Sequence, residues 1–410
     1  MSQHGPIIAI VTGEQSPLVT AVAAAKLNSV TTVNWTAASQ ALDLLSPAAV
    51  IAEGSAENPI AFAATAGRLA ARKPYIPLIV TDPGIPVPNN AIPLSSIETS
   101  PGRLAARLRA ALRVRALDIT LSRRLADNPT SVRHLADTDP LQDATVLLLG
   151  RGTSYPSLSV ALGEQLGLVG ALSIEAAAKH LNARDVDGIV IGEGFSPRVL
   201  NAFLTVLAED TRFRNLPIIT PPALTGDYDL PNLEPVAGDP AHVAASALPL
   251  IRQHAFEQRI IRTLRSIDAG GLLDPRTGLL TPAAFSRDFS AAIEQTLARD
   301  AGLSVARFSF SESHPREQCD AARILSRLMR RMDFGTLHDD GTITAVFVDA
   351  GMRNAAAIAK RLANVMKHTM HSAKRGSRID PHVVVESLQP TDSAATLLAR
   401  LQNDAHRAAS

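Results

Sequence analysis

The sequence predicts an α/β protein of three domains, in which two similar doubly wound domains precede a third α/β domain of another kind. Three observations support this fold class. Short apolar strands alternate with helical patterns as far as about residue 265, the alternation restarts once on the way, and a different order of strands and helices follows. The length of 410 residues is in the range of two to four domains.

The first domain is predicted over residues 1–125, because five short apolar runs in this part of the chain have the length and composition of strands. Helical patterns follow most of these runs, as expected for a parallel sheet whose two faces are covered by helices. The runs are, in order, PIIAIVTG, VTTVNW, AAVIAEG, IPLIVTD and NAIPLSS. This order of elements predicts a doubly wound (βα)5 domain.

A second domain of the same kind is predicted over residues 144–266, after a polar, proline-containing linker at residues 126–143. VIAEG, which starts at residue 50, returns as VIGEG at residue 190, and PLIVT at residue 77 returns as PIIT at residue 217. Both landmarks recur 140 residues later, so the two stretches are predicted to be copies of one fold. The last helix of the second copy is long, and we expect it to continue out of the domain as a connecting rod.

The composition argues against several functional classes. The 40 basic and 39 acidic residues leave a net charge of +1, so no overall field attracts nucleic acid or an anionic membrane. Cys319 is the only cysteine, which excludes a disulfide framework and a cysteine metal site. The sequence shows no signal peptide and no apolar run long enough to cross a bilayer, so a cytoplasmic protein without membrane insertion is expected.

The strand positions of the two copies resemble those of bacterial response-regulator receiver domains. That family takes a phosphoryl group on an Asp after the third strand and holds a divalent ion on an acidic pair after the first. Glu53 stands at the acceptor position of the first copy, and Gly192 or Glu193 stands there in the second. Thr12-Gly13 and Gly150-Arg151 replace the acidic pairs. Because the ion must neutralise the approaching phosphate, neither copy is expected to accept a phosphoryl group.

The two acids at the acceptor positions have two interpretations. Glu53 and Glu193 could imitate a permanently charged acceptor, or they could be solvated carboxylates at the ends of strands. In either case the resemblance implies that both copies serve in docking and in dimerisation.

Residues 267–410 open with the block Asp274-Pro275-Arg276-Thr277-Gly278-Leu279-Leu280. A strand, a helix, a hairpin, a second helix, a second strand and a closing helix follow in the sequence pattern. The block and this order resemble the GGDEF domain of diguanylate cyclases. The resemblance implies an α/β nucleotide cyclase-like fold for the third domain.

The positions that make that family an enzyme are altered in this chain. The hairpin tip lacks the first two glycines and both acids of the family, and serines stand where a metal-binding Asp should close the first strand. The altered positions are Ser309, Ser311, Asp339, Asp340, Gly341 and Thr342. Metal-assisted phosphoryl transfer needs the ion and the phosphate clamp together, so the resemblance implies a pseudo-enzyme with no catalytic residue, metal or cofactor.

One functional pair of the family is retained. Arg330 and Asp333 lie five residues before the hairpin tip, at the spacing of the inhibitory site at which these proteins bind cyclic di-GMP. An Arg can donate to O6 and N7 of guanine, and an Asp can accept from its N1–H and N2–H. We predict both on one helix face, at i and i+3, with Arg361 and Arg331 as further contacts. The alternative is a surface ion pair near a helix end.

The domain order resembles that of developmental-regulator cyclases of alphaproteobacteria with paired receivers, and more closely that of PopA-type proteins, which bind cyclic di-GMP and recruit partners. The resemblance implies a homodimeric, cytoplasmic cyclic di-GMP effector, with unidentified protein partners that could bring it to a cell pole and with no nucleic-acid partner. Two alternatives stay open. One is a ligand-independent dimeric scaffold, and the other is a residual diguanylate cyclase.

Overall fold

The computed structural model describes residues 5–13, 16–25, 29–54, 59–83, 87–95, 101–127, 138–222, 228–299, 301–310, 315–369 and 380–409. These residues form two compact units. The first contains the described residues up to 127 together with 138–177 and 186–261, and the second contains 178–185 and 262–409. The prediction of an α/β protein with parallel sheets is confirmed.

The first copy is a five-stranded parallel sheet of order β2-β1-β3-β4-β5. Its strands are β1 (Ile7–Val11), β2 (Val30–Asn34), β3 (Ala49–Glu53), β4 (Leu78–Thr81) and β5 (Ala91–Leu94). Its helices are α1 (Pro17–Ala24), α2 (Trp35–Leu44), α3 (Pro59–Ala70) and α4 (Pro101–Asp127). The strand order reverses between β1 and β3, so the loops that follow these two strands meet at one edge of the sheet.

The second copy repeats this strand order, β7-β6-β8-β9-β10. Its strands are β6 (Thr145–Leu149), β7 (Gly167–Ala171), β8 (Gly188–Ile191), β9 (Ile218–Thr220) and β10 (Leu233–Pro235). Its helices are α5 (Tyr155–Gly163), α6 (Ile174–Ala183), α7 (Pro197–Glu209) and α8 (Pro240–Asp268). A short 3-10 helix, Pro140–Asp143, precedes β6. Helix α8 is 29 residues long.

Each copy departs from the predicted (βα)5 pattern at the same place. Between the fourth and fifth strands, the described residues form no helix in either copy. An asparagine ends each connection instead: the Asn90 side-chain amide donates to the Ala66 carbonyl at 2.7 Å, and the Asn232 amide donates to the Asn215 carbonyl at 2.7 Å. Both asparagines immediately precede the fifth strand, so a side-chain hydrogen bond positions that strand where a helix was expected.

The two copies contact each other within the first unit. Leu104 and Leu108 of α4 and Ala247 and Ile251 of α8 belong to one buried apolar cluster. Burial of these side chains is the main favourable contribution to such a contact. Charged side chains extend it, and they are described below.

The second unit has a four-stranded sheet of order β12-β13-β11-β14 in which all neighbours are antiparallel. Its strands are β11 (Leu303–Ser309), β12 (Phe334–Leu337), β13 (Ile343–Val348) and β14 (His382–Ser387). Its helices are α9 (Pro282–Arg299), α10 (Pro315–Leu328), α11 (Met352–Thr369) and α12 (Ala394–Ala409). Alternate residues of β11 face opposite sides, so Val305 packs with Phe285 and Leu397, and Ala306 packs with Leu325 and Leu362.

The block that opens the third predicted domain forms a tight turn. The Asp274 carboxylate accepts from the Arg276 backbone N–H at 2.8 Å and from the Thr277 hydroxyl at 3.0 Å. Gly278 has a φ of +75°, a conformation that glycine adopts without strain. Leu280 then donates its N–H to Gly335 of β12 at 2.9 Å. The turn is therefore attached to the strand that follows Arg330 and Asp333.

Within the described residues, no helix is both long and apolar enough to span a membrane. The same part of the chain contains no group of three or more His, Cys, Asp or Glu side chains arranged to hold a metal ion.

Candidate functional site

Arg330 and Asp333 lie in a turn and not on a helix face, which corrects the sequence prediction. Helix α10 ends at Leu328, and the Asp333 N–H donates to the Arg330 carbonyl at 3.0 Å. Met332, which lies in this turn, is 54% exposed. The two predicted site residues are therefore brought together by a backbone turn between α10 and β12.

Asp333 is buried, with 8% of its surface exposed. Its Oδ1 atom accepts from the Val348 N–H, at the end of β13, at 3.1 Å. Its Oδ2 atom is buried and has no hydrogen-bond partner among the described residues. Burial raises the pKa of Asp333, although the hydrogen bonds from Val348 and Arg330 and the charge of Arg330 act in the opposite direction. One oxygen of this carboxylate thus accepts a structural hydrogen bond, and the other has no hydrogen-bond partner among the described residues.

The three predicted arginines are exposed. Arg330 and Arg331 stand in the turn, and Arg361 lies on α11, the helix after the hairpin, as predicted. Within the described ranges, the guanidinium groups of the three make no hydrogen bond and no ion pair, although the charge of Arg330 acts on Asp333. Their guanidinium groups are therefore available to an anionic or planar ligand.

The hairpin tip between β12 and β13 is closed by its own side chains. The Asp340 carboxylate accepts from the Thr342 backbone N–H at 2.9 Å and from its hydroxyl at 2.6 Å, and it forms an ion pair with Arg307 at 2.9 Å. The pKa of Asp340 is lower than its ordinary value. Partial burial alone would raise it, but the hydrogen bonds from Thr342 and the charges of Arg307 and His338 outweigh this effect. This carboxylate serves the turn.

Little room is left at the glycine of the tip. Gly341 has a φ of +78°, and a Cβ at this position would collide with the Gln318 side chain of α10. Asp339 is exposed and Thr342 is bonded to Asp340. Ser309, the last residue of β11, pairs in the sheet with His382, and Ser311 lies outside the described residues.

At the acceptor position of the first copy, Glu53 is held by its neighbours. Its carboxylate accepts from the Thr12 N–H at 2.6 Å, from the Thr12 hydroxyl at 2.5 Å and from the Ser16 hydroxyl. Ser16 in turn accepts from the Leu18 N–H and caps α1. Glu53 therefore fastens the β1–α1 connection to the end of β3, which neither of the two predicted interpretations included.

In the second copy an arginine occupies the corresponding edge of the sheet. Arg151 donates its Nε–H to the Gly194 carbonyl at 2.8 Å and lies 5.0 Å from the centre of the Phe195 ring. A Cβ at Gly194 would come within 2.5 Å of the Arg151 side chain. Gly192 donates to the end of β6, and Glu193 is exposed. A cation stands where a receiver would need the ion-binding acids.

No protein-family model matches this chain, and no curated protein matches it. The solved structures that are similar to it include GGDEF domains, which match about a third of the chain. The coiled coil and GGDEF domain of DgcB from Caulobacter crescentus, in complex with c-di-GMP, covers 36% of this chain and 84% of its own, at 12% identity and a TM-score of 0.31.

Two structures from Pseudomonas aeruginosa are similar over the same share of the chain. The FimX GGDEF domain covers 33% of this chain and 90% of its own, at 20% identity and a TM-score of 0.27. The diguanylate cyclase SiaD, in complex with its activator SiaC, covers 37% and 64%, at 15% identity and a TM-score of 0.31. Likenesses of this size carry no argument about function.

Sequence reasoning missed the residues that hold these sites in place. Val348, Gln318 and Arg307 lie on elements other than the one that carries the motif they support, and nothing in their local sequence marks them. The hydroxyls at Thr12 and Ser16 offered a weak signal, since Ser before Pro17 is a common start of a helix.

Proposed function

We propose that this chain is a catalytically inactive effector that senses cyclic di-GMP at Arg330 and Asp333 and recruits protein partners. The observation that carries the proposal is the state of the Asp333 carboxylate. One of its oxygens is buried without a hydrogen-bond partner among the described residues, and it lies close enough to the exposed Arg330 to feel its charge. An unsatisfied buried acceptor is costly, and the N1–H and N2–H groups of a guanine would satisfy it.

The proposed ligand also suits the charges. Cyclic di-GMP carries two phosphates and two guanines, and Arg330, Arg331 and Arg361 present three exposed guanidinium groups. A guanidinium can pair with a guanine edge, stack on a base or bind a phosphate. Because Asp333 Oδ2 is closed from solvent, binding requires a movement of the turn at residues 330–332. That movement would be the first consequence of ligand binding.

The absence of catalysis is proposed from the hairpin tip. Asp340 is committed to Thr342 and Arg307, and the Gln318 side chain covers Gly341. A phosphoryl-transfer site needs acids that are free to bind metal ions beside the phosphates. Incubation with labelled GTP and Mg²⁺ or Mn²⁺ should therefore give no cyclic dinucleotide, and turnover above that of a heat-denatured sample would contradict this part of the proposal.

Calorimetric titration with cyclic di-GMP tests the binding proposal. The wild-type chain should bind in the micromolar range or tighter, and Arg330→Ala should lose about 1–3 kcal/mol of binding free energy. Asp333→Asn should also lose affinity, since an amide N–H₂ would face the guanine donors. Arg353→Ala, an exposed arginine at the start of α11, is the matched control and should bind normally. No binding by the wild type, or equal binding by Arg330→Ala, would overturn the proposal.

A ligand-independent scaffold is the second candidate. The bond from the Val348 N–H to Asp333 Oδ1 favours it, because this bond gives Asp333 a structural use without any ligand. In that case partner binding would be the same with and without nucleotide and would be unchanged in Arg330→Ala. We propose a homodimeric, cytoplasmic protein in either case.

A further inference from the structure

The contact between the two copies in the first unit contains a charged cluster that is almost completely buried. Arg107 of α4 is 0% exposed and Glu234 of β10 is 1% exposed. Glu234 Oε2 accepts from Arg107 at 2.9 Å and from Arg103 at 3.2 Å, and Oε1 accepts from the Ser95 N–H at 2.7 Å. Every carboxylate oxygen therefore has a donor that comes from the first copy.

The hydrogen-bonding groups of Arg107 are paired as completely as those of Glu234. Its guanidinium donates to the carbonyls of Pro231 and Pro93, both at 2.6 Å, and to that of Leu233 at 3.0 Å. Burial lowers the pKa of Arg107 to about 10, while the charge of Glu234 acts in the opposite direction, so the side chain stays charged at neutral pH. Two opposite charges are thus removed from water by this contact and are paired across it.

The two copies do not carry these charges at equivalent places. Helices α4 and α8 begin with Pro101 and Pro240, and matching these prolines places His242 at the position of Arg103 and Ser246 at that of Arg107. Glu234 corresponds to Ile92 or Pro93 of β5, depending on which end of the preceding strand is matched. The basic pair belongs to the first copy alone, and the buried acid belongs to the second alone.

A second set of charges in the contact is the same in both copies. Matching the two helices places Arg113 with Arg252 and Asp118 with Glu257. Arg113 pairs with Glu257 at 2.5 Å, and Arg252 pairs outside this set, with Asp139 at 3.2 Å. Because each helix carries one arginine and one acid at these places, this set would suit any pairing of the two faces and cannot discriminate among them.

We propose that Arg103, Arg107 and Glu234 make the contact specific for unlike copies, so that the α4 face of the first copy pairs only with the β10–α8 face of the second. Two first-copy faces brought together would bury their arginines without a carboxylate. Two second-copy faces would bury Glu234 against serine and histidine. A buried charge without its partner opposes association, so the cluster excludes both like pairings.

The consequence concerns the assembly of two chains. The faces that could join like copies of two molecules are already paired inside one molecule, so a homodimer must use other surfaces or exchange unlike faces between chains. We expect the contact between the two copies to be present both with and without bound cyclic di-GMP.

Charge reversal in the full-length chain tests the proposal. Variant X carries Glu234→Arg and has two basic faces, and variant Y carries Arg103→Glu and Arg107→Glu and has two acidic faces. Each variant alone should show a lower melting temperature than the wild type. In a mixture of X and Y, unlike faces become available again between chains. Light scattering during size-exclusion chromatography should therefore give the mixture a larger mass than X or Y alone.

Two further variants keep the test decisive if X or Y folds poorly. The chain with all three reversals restores opposite charges across the contact in one molecule, so it should keep the mass of the wild type and melt above both X and Y. Its melting temperature should stay below that of the wild type, because a glutamate at position 107 cannot donate to the carbonyls of Pro93, Pro231 and Leu233. Arg109→Glu, an exposed position of α4, is the matched control and should change neither. The proposal fails if X or Y alone reaches the mass of the mixture, if both keep the wild-type melting temperature, or if the triple reversal behaves like X.

Discussion

Glu234 in the first unit and Asp333 in the second are both buried carboxylates, with 1% and 8% of their surfaces exposed, but they are satisfied to different degrees. Glu234 receives two guanidinium groups and a backbone N–H. Asp333 accepts from the Val348 N–H through Oδ1, and its Oδ2 atom has no hydrogen-bond partner among the described residues. A completely paired buried charge suits an interface, whereas a half-paired one close to an exposed arginine suits an incoming ligand.

The largest effect on stability is expected when the cation is removed from the completely paired Glu234. Arg107→Leu leaves Glu234 buried with fewer donors, and we expect the free energy of unfolding to fall by about 3–5 kcal/mol. Urea denaturation measures this change. Arg68→Ala, which removes a surface pair with Asp43, is the control and should cost about 0–1 kcal/mol. Equal effects in the two variants would mean that burial does not distinguish these pairs.

The half-paired carboxylate should respond differently to two substitutions. Asp333→Ala removes the acceptor of the Val348 N–H and should cost about 1–3 kcal/mol of unfolding free energy. Asp333→Asn keeps an oxygen for that N–H and removes the buried charge, so at neutral pH it should be as stable as the wild type or more stable. A similar loss in both variants would show that the second oxygen has a partner after all.

The pH dependence of stability provides a second test of the buried Asp333 carboxylate. Burial raises the pKa of Asp333, so the folded state binds this proton more tightly than the unfolded state does. The resulting stability is present below the unfolded pKa and is lost as the pH rises through the folded pKa. The stability of the wild type relative to Asp333→Asn should therefore fall as the pH rises through the acidic range and then become constant. An increase over that range would contradict the raised pKa.

Glu53 offers an intermediate case, since it is partly exposed and accepts from Thr12 and Ser16. Glu53→Gln keeps one acceptor and loses the charge that strengthens these bonds, so a loss of about 1 kcal/mol of unfolding free energy is expected. If Glu53 were instead only a solvated strand-end carboxylate, the substitution would leave the urea midpoint unchanged.

The smallest effect is expected at the hairpin tip. Arg307→Ala removes an ion pair with Asp340, whose side chain is 55% exposed, and should change the free energy of unfolding by about 0–1 kcal/mol. Binding of cyclic di-GMP should be unaffected, because the tip is not part of the proposed site. A large loss of binding in this variant would move the site from the turn at residues 330–333 toward the hairpin.

Much of the fold follows from local patterns. The five strands of the first parallel sheet fall within the apolar runs recognised in the sequence, because the central strands of such a sheet are buried on both faces and need apolar residues. The 140-residue repeat predicted two copies of one fold, and the two sheets share one strand order. The predicted (βα)5 pattern includes a helix between the fourth and fifth strands, and the described residues of neither copy form one there.

The sequence by itself determined the α/β class, the repeat, the altered hairpin tip and the position of Arg330 and Asp333 three residues apart. Only the tertiary structure decided that these two lie in a turn, since Asp333 is directed to the end of β13, which is distant in sequence. It alone decided that Glu53 fastens a loop and that Arg107 meets Glu234. The physical reason is common to all three cases: the partners of a buried charge are chosen by packing between distant segments, and local sequence does not encode them.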